Sequence, residues 1–230
     1  MYHWIEDKEF LHNLRRFSGA LMQELCHELK VQYDIGAIAY LVGSGAKNLI
    51  TQNENNPIDL DYNLEIVRCE DYDDCRTLKE NVRNAFNHVL RGYRLRDCND
   101  SKSVLTTNWM FFNSDYEQVS NYNYVMFSNQ MVFKLEVCIV CRDDRDNSYR
   151  LIHDKTGYTY LDQYHWDLTP NAKKLRQKVE YIKNMGKWSL LRDEYINIKN
   201  MYLVRNDHDH PSFICYIEAV NNVYNSIKNK

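Results

Sequence analysis

"LVGSGAKNLITQNENNPIDLDYNLEI", Leu41 to Ile66, decides how the rest of this chain is read. The protein has only 7 glycines in 230 residues, yet two of them flank Ser44. A short apolar run, Gly36 to Val42, leads into them and reads as a buried strand that ends at Gly43-Ser44-Gly45. After a polar loop, "TQNENNP", Asp59-Leu60-Asp61 opens a second strand that runs to about Val67. Side chains alternate across a strand, so Asp59 and Asp61 share one face while Leu60, Tyr62, Leu64 and Ile66 line the other. That apolar stripe is enough for folding. The two carboxylates repel each other and call for a positive partner.

A later segment repeats the pattern. In "MVFKLEVCIV", Met131 to Val140, one face carries Phe133, Leu135, Val137 and Ile139, and the other carries Lys134, Glu136 and Cys138. If this strand lies beside the first, three carboxylates converge on one patch of sheet. A hard divalent cation with oxygen ligands, Mg²⁺ or Mn²⁺, would relieve their repulsion. The Gly43-Ser44-Gly45 bend lets the backbone approach a ligand, and its N–H groups and the Ser44 hydroxyl suit phosphate oxygens. Lys47 adds a point charge for the same phosphates.

Gly43-Ser44, a gap, then Asp59-Leu60-Asp61-Tyr62 resembles the signature of the nucleotidyltransferase superfamily related to DNA polymerase β. Glu136 matches the third carboxylate, which lies on a later strand there. Lys47 stands where arginine is frequent and Asn48 where glycine is frequent, and the gap is long. The resemblance implies an α+β fold, a mixed β-sheet core flanked by helices. It also implies a nucleoside triphosphate (NTP) substrate, two divalent ions, and transfer of the nucleoside monophosphate to a hydroxyl acceptor with release of pyrophosphate. Asp59 and Asp61 would bridge both ions, Glu136 would complete the site of one, and Gly43, Ser44 and Lys47 would hold the triphosphate. A catalytically silent nucleotide-binding or interaction module on the same fold is the alternative. A metal-dependent phosphohydrolase would need a water-activating group that the sequence does not offer.

The remaining chain fits this frame. Apolar spacing predicts helices over about Glu9 to Leu29 and Asp74 to Arg91, then strands near 103–112, 121–128 and 131–141. From Thr169, read as an N-cap ahead of Pro170, three amphipathic helices follow. The expected division is a catalytic domain over 1–165 and a C-terminal helical domain over 166–230. Lys173, Lys174, Arg176 and Lys178 read as a solvated face. A net charge of -3 gives no broad footprint for a long nucleic acid, so a small molecule, nucleotide or protein acceptor is expected over long RNA. No apolar run reaches membrane-spanning length, and no signal peptide is evident. Seven scattered cysteines point to a reducing, cytoplasmic setting. Cys138 and Cys141 read as small buried side chains, and Asp207 to His210, "DHDH", as a solvated lead into a helix.

Overall fold

The computed structural model describes residues 1–112, 119–121, 131–170, 172–207 and 211–229. In chain order the elements are β1 (Tyr2–Trp4), α1 (Lys8–Tyr33), β2 (Gly36–Leu41), α2 (Gly43–Lys47), β3 (Thr51–Asn53) and β4 (Ile58–Arg68). Then come α3 (Cys75–Gly92), β5 (Asn99–Asp100), β6 (Leu105–Thr106), β7 (Met110–Phe112), β8 (Val119–Asn121) and β9 (Val132–Arg142). The chain ends with β10 (Ser148–Asp154), a 3₁₀ turn (Thr159–Leu161), β11 (Gln163–Leu168), α4 (Lys173–Asn184), α5 (Trp188–Val204) and α6 (Ser212–Lys228). The fold is α+β, with a mixed sheet and helices gathered at the C-terminal end.

These elements form two compact units. The larger is Glu6–Ala46 with Asn55–Thr169; the smaller is Met1–Ile5, Lys47–Glu54 and Pro170–Lys230. The smaller unit thus gathers two short N-terminal segments with the C-terminal helices.

In the larger unit the sheet runs β11-β10-β9-β4-β2, and β6 and β7 also pair with the N-terminal half of β9. β4 and β9 are parallel, with Asp59 opposite Lys134, Leu60 opposite Leu135 and Asp61 opposite Glu136. The apolar stripes expected on both strands are buried without exception: Leu60, Tyr62, Leu64 and Ile66 on β4, and Phe133, Leu135, Val137 and Ile139 on β9. α1 covers that face. Its N-cap Asp7 accepts from the Phe10 N–H, and its apolar side buries Phe10, Leu14, Leu21 and Leu25. Phe10 and Phe17 meet the Phe133 ring edge-on at 6.3 and 6.1 Å, and the Ser18 hydroxyl bonds the Tyr62 hydroxyl at 2.8 Å.

Three readings need correction. The strand expected near 103–112 is broken into β6 and β7, because the Thr107 N–H donates to the Leu135 carbonyl while its hydroxyl accepts the Leu135 N–H, closing a local ring. The helix expected to begin at Pro170, capped by Thr169, starts three residues later, at Lys173. Thr169 donates both its N–H and its hydroxyl to the Ser148 carbonyl, so it closes the β10–β11 hairpin instead of capping a helix. Thr51–Asn53, read as loop, pairs with Tyr2–Trp4. The strand expected over 121–128 lies outside the described residues from 122 onward.

The smaller unit has its own core of Leu49, Ile182, Leu191, Tyr195, Ile198, Tyr216 and Val220, with Trp4 packed against it. The Asn200 side chain accepts the Tyr2 N–H at 2.6 Å and donates to the Tyr2 carbonyl at 3.1 Å, which ties β1 to α5.

Candidate active site

Each residue singled out between Gly43 and Glu136 has a local reason for its place. β2 and β4 are antiparallel up to the Leu41–Tyr62 pair, and the next N–H, that of Val42, donates to the Asp61 carbonyl at 2.8 Å. The bend that follows is thereby moored beside the Asp-Leu-Asp strand. Gly43 has φ +61, a left-handed conformation, and a Cβ there would run into the Asp61 carboxylate. Only glycine fits. Gly45 is buried against Leu41 and Leu60, and its carbonyl accepts from Arg15 of α1 at 3.3 Å. Ser44 sits between them in the one-turn α2.

Lys47 ends α2 and belongs to the smaller unit, where its ammonium lies 5.1 Å from the centre of the Tyr216 ring. Asn48 takes φ +55, the left-handed conformation in which asparagine is the usual substitute for glycine. The departure from the superfamily pattern at this position is conformationally conservative.

Asp59, Asp61 and Glu136 lie on the same face of two adjacent parallel strands, with Asp61 directly opposite Glu136. A third element completes the patch. Lys134, opposite Asp59 in register, reaches 2.7 Å from Glu136 Oε1 and 3.5 Å from Asp59 Oδ1. Its side chain is 24% exposed, that of Glu136 27% and that of Asp59 50%. Burial works against the Lys134 charge, but the Glu136 hydrogen bond and the Asp59 charge outweigh it and hold its pKa above the usual lysine range. The positive partner the carboxylates called for is thus supplied, in part, from within the chain. Its place on this face was legible, since a lysine two residues before Glu136 on a strand must share its face.

The donor set fits a divalent cation in kind: three carboxylates in register beside a glycine that leaves room for one of them. Among the described residues, however, no group of three or more His, Cys, Asp or Glu side chains is arranged to hold a metal ion. The ammonium of Lys134 takes that role between Asp59 and Glu136.

Further along the same face, Glu65 is matched differently. It accepts from the Tyr40 hydroxyl at 2.6 Å and pairs with Arg142 Nε at 3.1 Å. Cys138 and Cys141 are three apart on β9 and so point to opposite faces, and burial pushes both thiols up to about 11. His208 and His210 lie outside the described residues. A separate buried cluster was not foreseen. Lys79 of α3 pairs with Asp100 Oδ1 at 2.7 Å, and His153 of β10 bridges Asp100 Oδ2 at 2.7 Å and Asp162 Oδ2 at 2.9 Å.

No protein-family model matches the sequence, and no curated protein matches it. Solved structures do. A CdnC:HORMA-deltaN complex from E. coli MS115-1 matches at 12% identity and TM-score 0.55, over 96% of this chain and 61% of that one. The 3'-deoxy GTP bound form of Vibrio cholerae DncV matches at 10% identity and TM-score 0.53, over 92% and 53%. The Elizabethkingia meningoseptica CdnE cyclic dinucleotide synthase with GTP and Apcpp matches at 12% identity and TM-score 0.50, over 89% and 68%. The chain thus spans between 53% and 68% of the length of these three. The likeness is one of fold: this chain has the nucleotidyltransferase fold.

Proposed function

We propose that the protein is a metal-dependent nucleotidyltransferase that moves a nucleoside monophosphate from an NTP to a hydroxyl acceptor and releases pyrophosphate. The observation that carries this reading is the register of β4 and β9, which sets Glu136 beside Asp61 on the polar face of the sheet. Asp59, Asp61 and Glu136 would hold Mg²⁺ or Mn²⁺, two ions in all. Bound there, the ions would lower the pKa of the acceptor hydroxyl and offset the triphosphate charge. Gly43 and Ser44, moored to the Asp61 backbone, would present N–H groups and a hydroxyl to the phosphates. Lys47 is assigned to phosphate by its charge and by the resemblance. Glu136 would accept the acceptor's proton.

Among the described residues no helix is long and apolar enough to cross a membrane. All seven cysteines are free, in keeping with the cytoplasmic setting we propose. A small molecule, a nucleotide or a protein is the favoured acceptor, since the net charge of -3 suits a long polyanion poorly. The match to nucleotide-bound structures of the same fold supports an NTP as donor. A second reading, a silent nucleotide-binding module, draws support from Lys134, whose ammonium sits between two of the three acids. Incubation with each α-labelled NTP and Mg²⁺ or Mn²⁺ separates the two. Labelled product with pyrophosphate supports the enzyme; nucleotide binding without either, over a broad acceptor pool, supports the module.

A further inference from the structure

We infer that Lys134 is a built-in counter-cation, which a divalent ion must displace from Asp59 and Glu136 before those carboxylates can hold it. This rests on the metal-dependent reading above and deepens it by naming the residue that sets the ion affinity.

Lys134 and Glu136 share a strand face, and Asp59 is the register partner of Lys134 across the β4–β9 ladder. The ammonium therefore stands where both carboxylates are directed, 2.7 Å from one and 3.5 Å from the other. An ion that took the same oxygens at ligand distance would have this ammonium as its neighbour, and like charges sharing an oxygen repel. Lysine, with four rotatable bonds and a three-quarters buried but not enclosed side chain, can withdraw without moving the strand. Folding does not require the bridge, because the core stripe of β9 is complete on the opposite face. Glu65 on the same face offers the contrast. Its cation comes from Arg142 at the end of β9, which also pairs with Asp146 and so is anchored from a second side.

Ion binding then becomes an exchange of one cation for another. The apparent affinity is lowered by the fraction of molecules in which Lys134 still bridges the acids.

The test is Mn²⁺ binding by isothermal titration calorimetry, without nucleotide, on the full chain. Lys134→Met, which keeps length and removes charge, is expected to bind Mn²⁺ about tenfold or more tightly than the wild type. Asp59→Asn placed in both backgrounds should abolish that binding. Equal affinity in wild type and Lys134→Met overturns the exchange and leaves the proposed function standing. Binding by neither removes the metal site itself, and the exchange with it. The wild type supplies a second measurement that does not depend on a variant folding. The Nζ resonance of Lys134 in nitrogen-15 spectra should shift and lose its hydrogen-bonded character as Mg²⁺ is added. A resonance unmoved at Mg²⁺ saturation contradicts displacement.

Discussion

Two groups of charges in the larger unit are built from the same parts and behave differently. At the Asp59–Lys134–Glu136 patch a lysine bridges two acids on a strand face that is a quarter to a half exposed. At the Lys79–Asp100–His153–Asp162 cluster Lys79 pairs with Asp100 and His153 bridges Asp100 and Asp162, with side chains 4% to 13% exposed. Water and ions reach the first, so its pairings can be traded for others. The second is buried except at its rim, where the half-exposed Lys155 lies 3.9 Å from Asp100 Oδ2. Its charges are satisfied by each other, by the Ser101 carbonyl that accepts from Lys79 at 2.8 Å, and by the Thr156 N–H that donates to Asp162 at 2.8 Å. Accessibility, more than residue type, separates a charge cluster that can exchange its partners from one that cannot.

The comparison breaks first at Lys79. Lys79→Met takes the nearest cation from buried Asp100, leaving it His153 and the more distant Lys155, and should cost about 3 kcal/mol of stability, read as a drop in the urea midpoint. The same exchange at Lys134 should cost about 1 kcal/mol or less. Equal losses at the two lysines would remove the distinction. The acids reverse the order: Asp61→Ala should keep its urea midpoint and lose about 10²–10³ in kcat, the cost of removing transition-state charge stabilisation. Next in size is Gly43→Ala. A left-handed alanine is disfavoured by about 1–2 kcal/mol, and its Cβ would push the Asp61 carboxylate aside. A rise in KM for the NTP together with a fall in kcat is expected, with a thermal midpoint lowered by a few degrees.

The smallest effect is in acid. The Thr156 backbone N–H and then His153 hold the Asp162 carboxyl down to about 2, against about 3.9 in an unfolded chain. The stability this adds is complete above about pH 4 and is lost as the pH falls through about 2. Asp162→Asn should therefore flatten the decline of the thermal midpoint over that interval, measured by circular dichroism against pH. A decline as steep as in the wild type would place the acid sensitivity elsewhere.

What could be read ahead of the structure follows from period-two logic. β4 and β9 alternate cleanly, so face sharing among Asp59, Asp61, Lys134 and Glu136 was legible, and the parallel pairing added only that the two strands are neighbours. The use of Lys134 was not legible, because parity places a side chain on a face and says nothing of where a long flexible chain ends. The β10–β11 hairpin stayed hidden for a different reason. Leu151, Ile152 and His153 are buried in succession, which breaks the alternation, and the buried His153 is paired with Asp162 across the hairpin and with Asp100, fifty-three residues away. The Tyr2–Trp4 and Thr51–Asn53 pair is short and polar on one side, with no pattern to set it apart from loop. Thr169 has the chemistry of a helix cap and spends it on a hairpin, a choice that only the Ser148 carbonyl decides.

The most direct measurement is pyrophosphate release from NTP, in the presence of Mn²⁺ and an acceptor pool, by the wild type and by a folded Glu136→Gln variant. Release by the wild type and its near loss in the variant is the predicted result, since the amide keeps the shape of the side chain and removes its charge beside Asp61. Equal release by both would contradict the account, because the acid opposite Asp61 would then have no part in the chemistry.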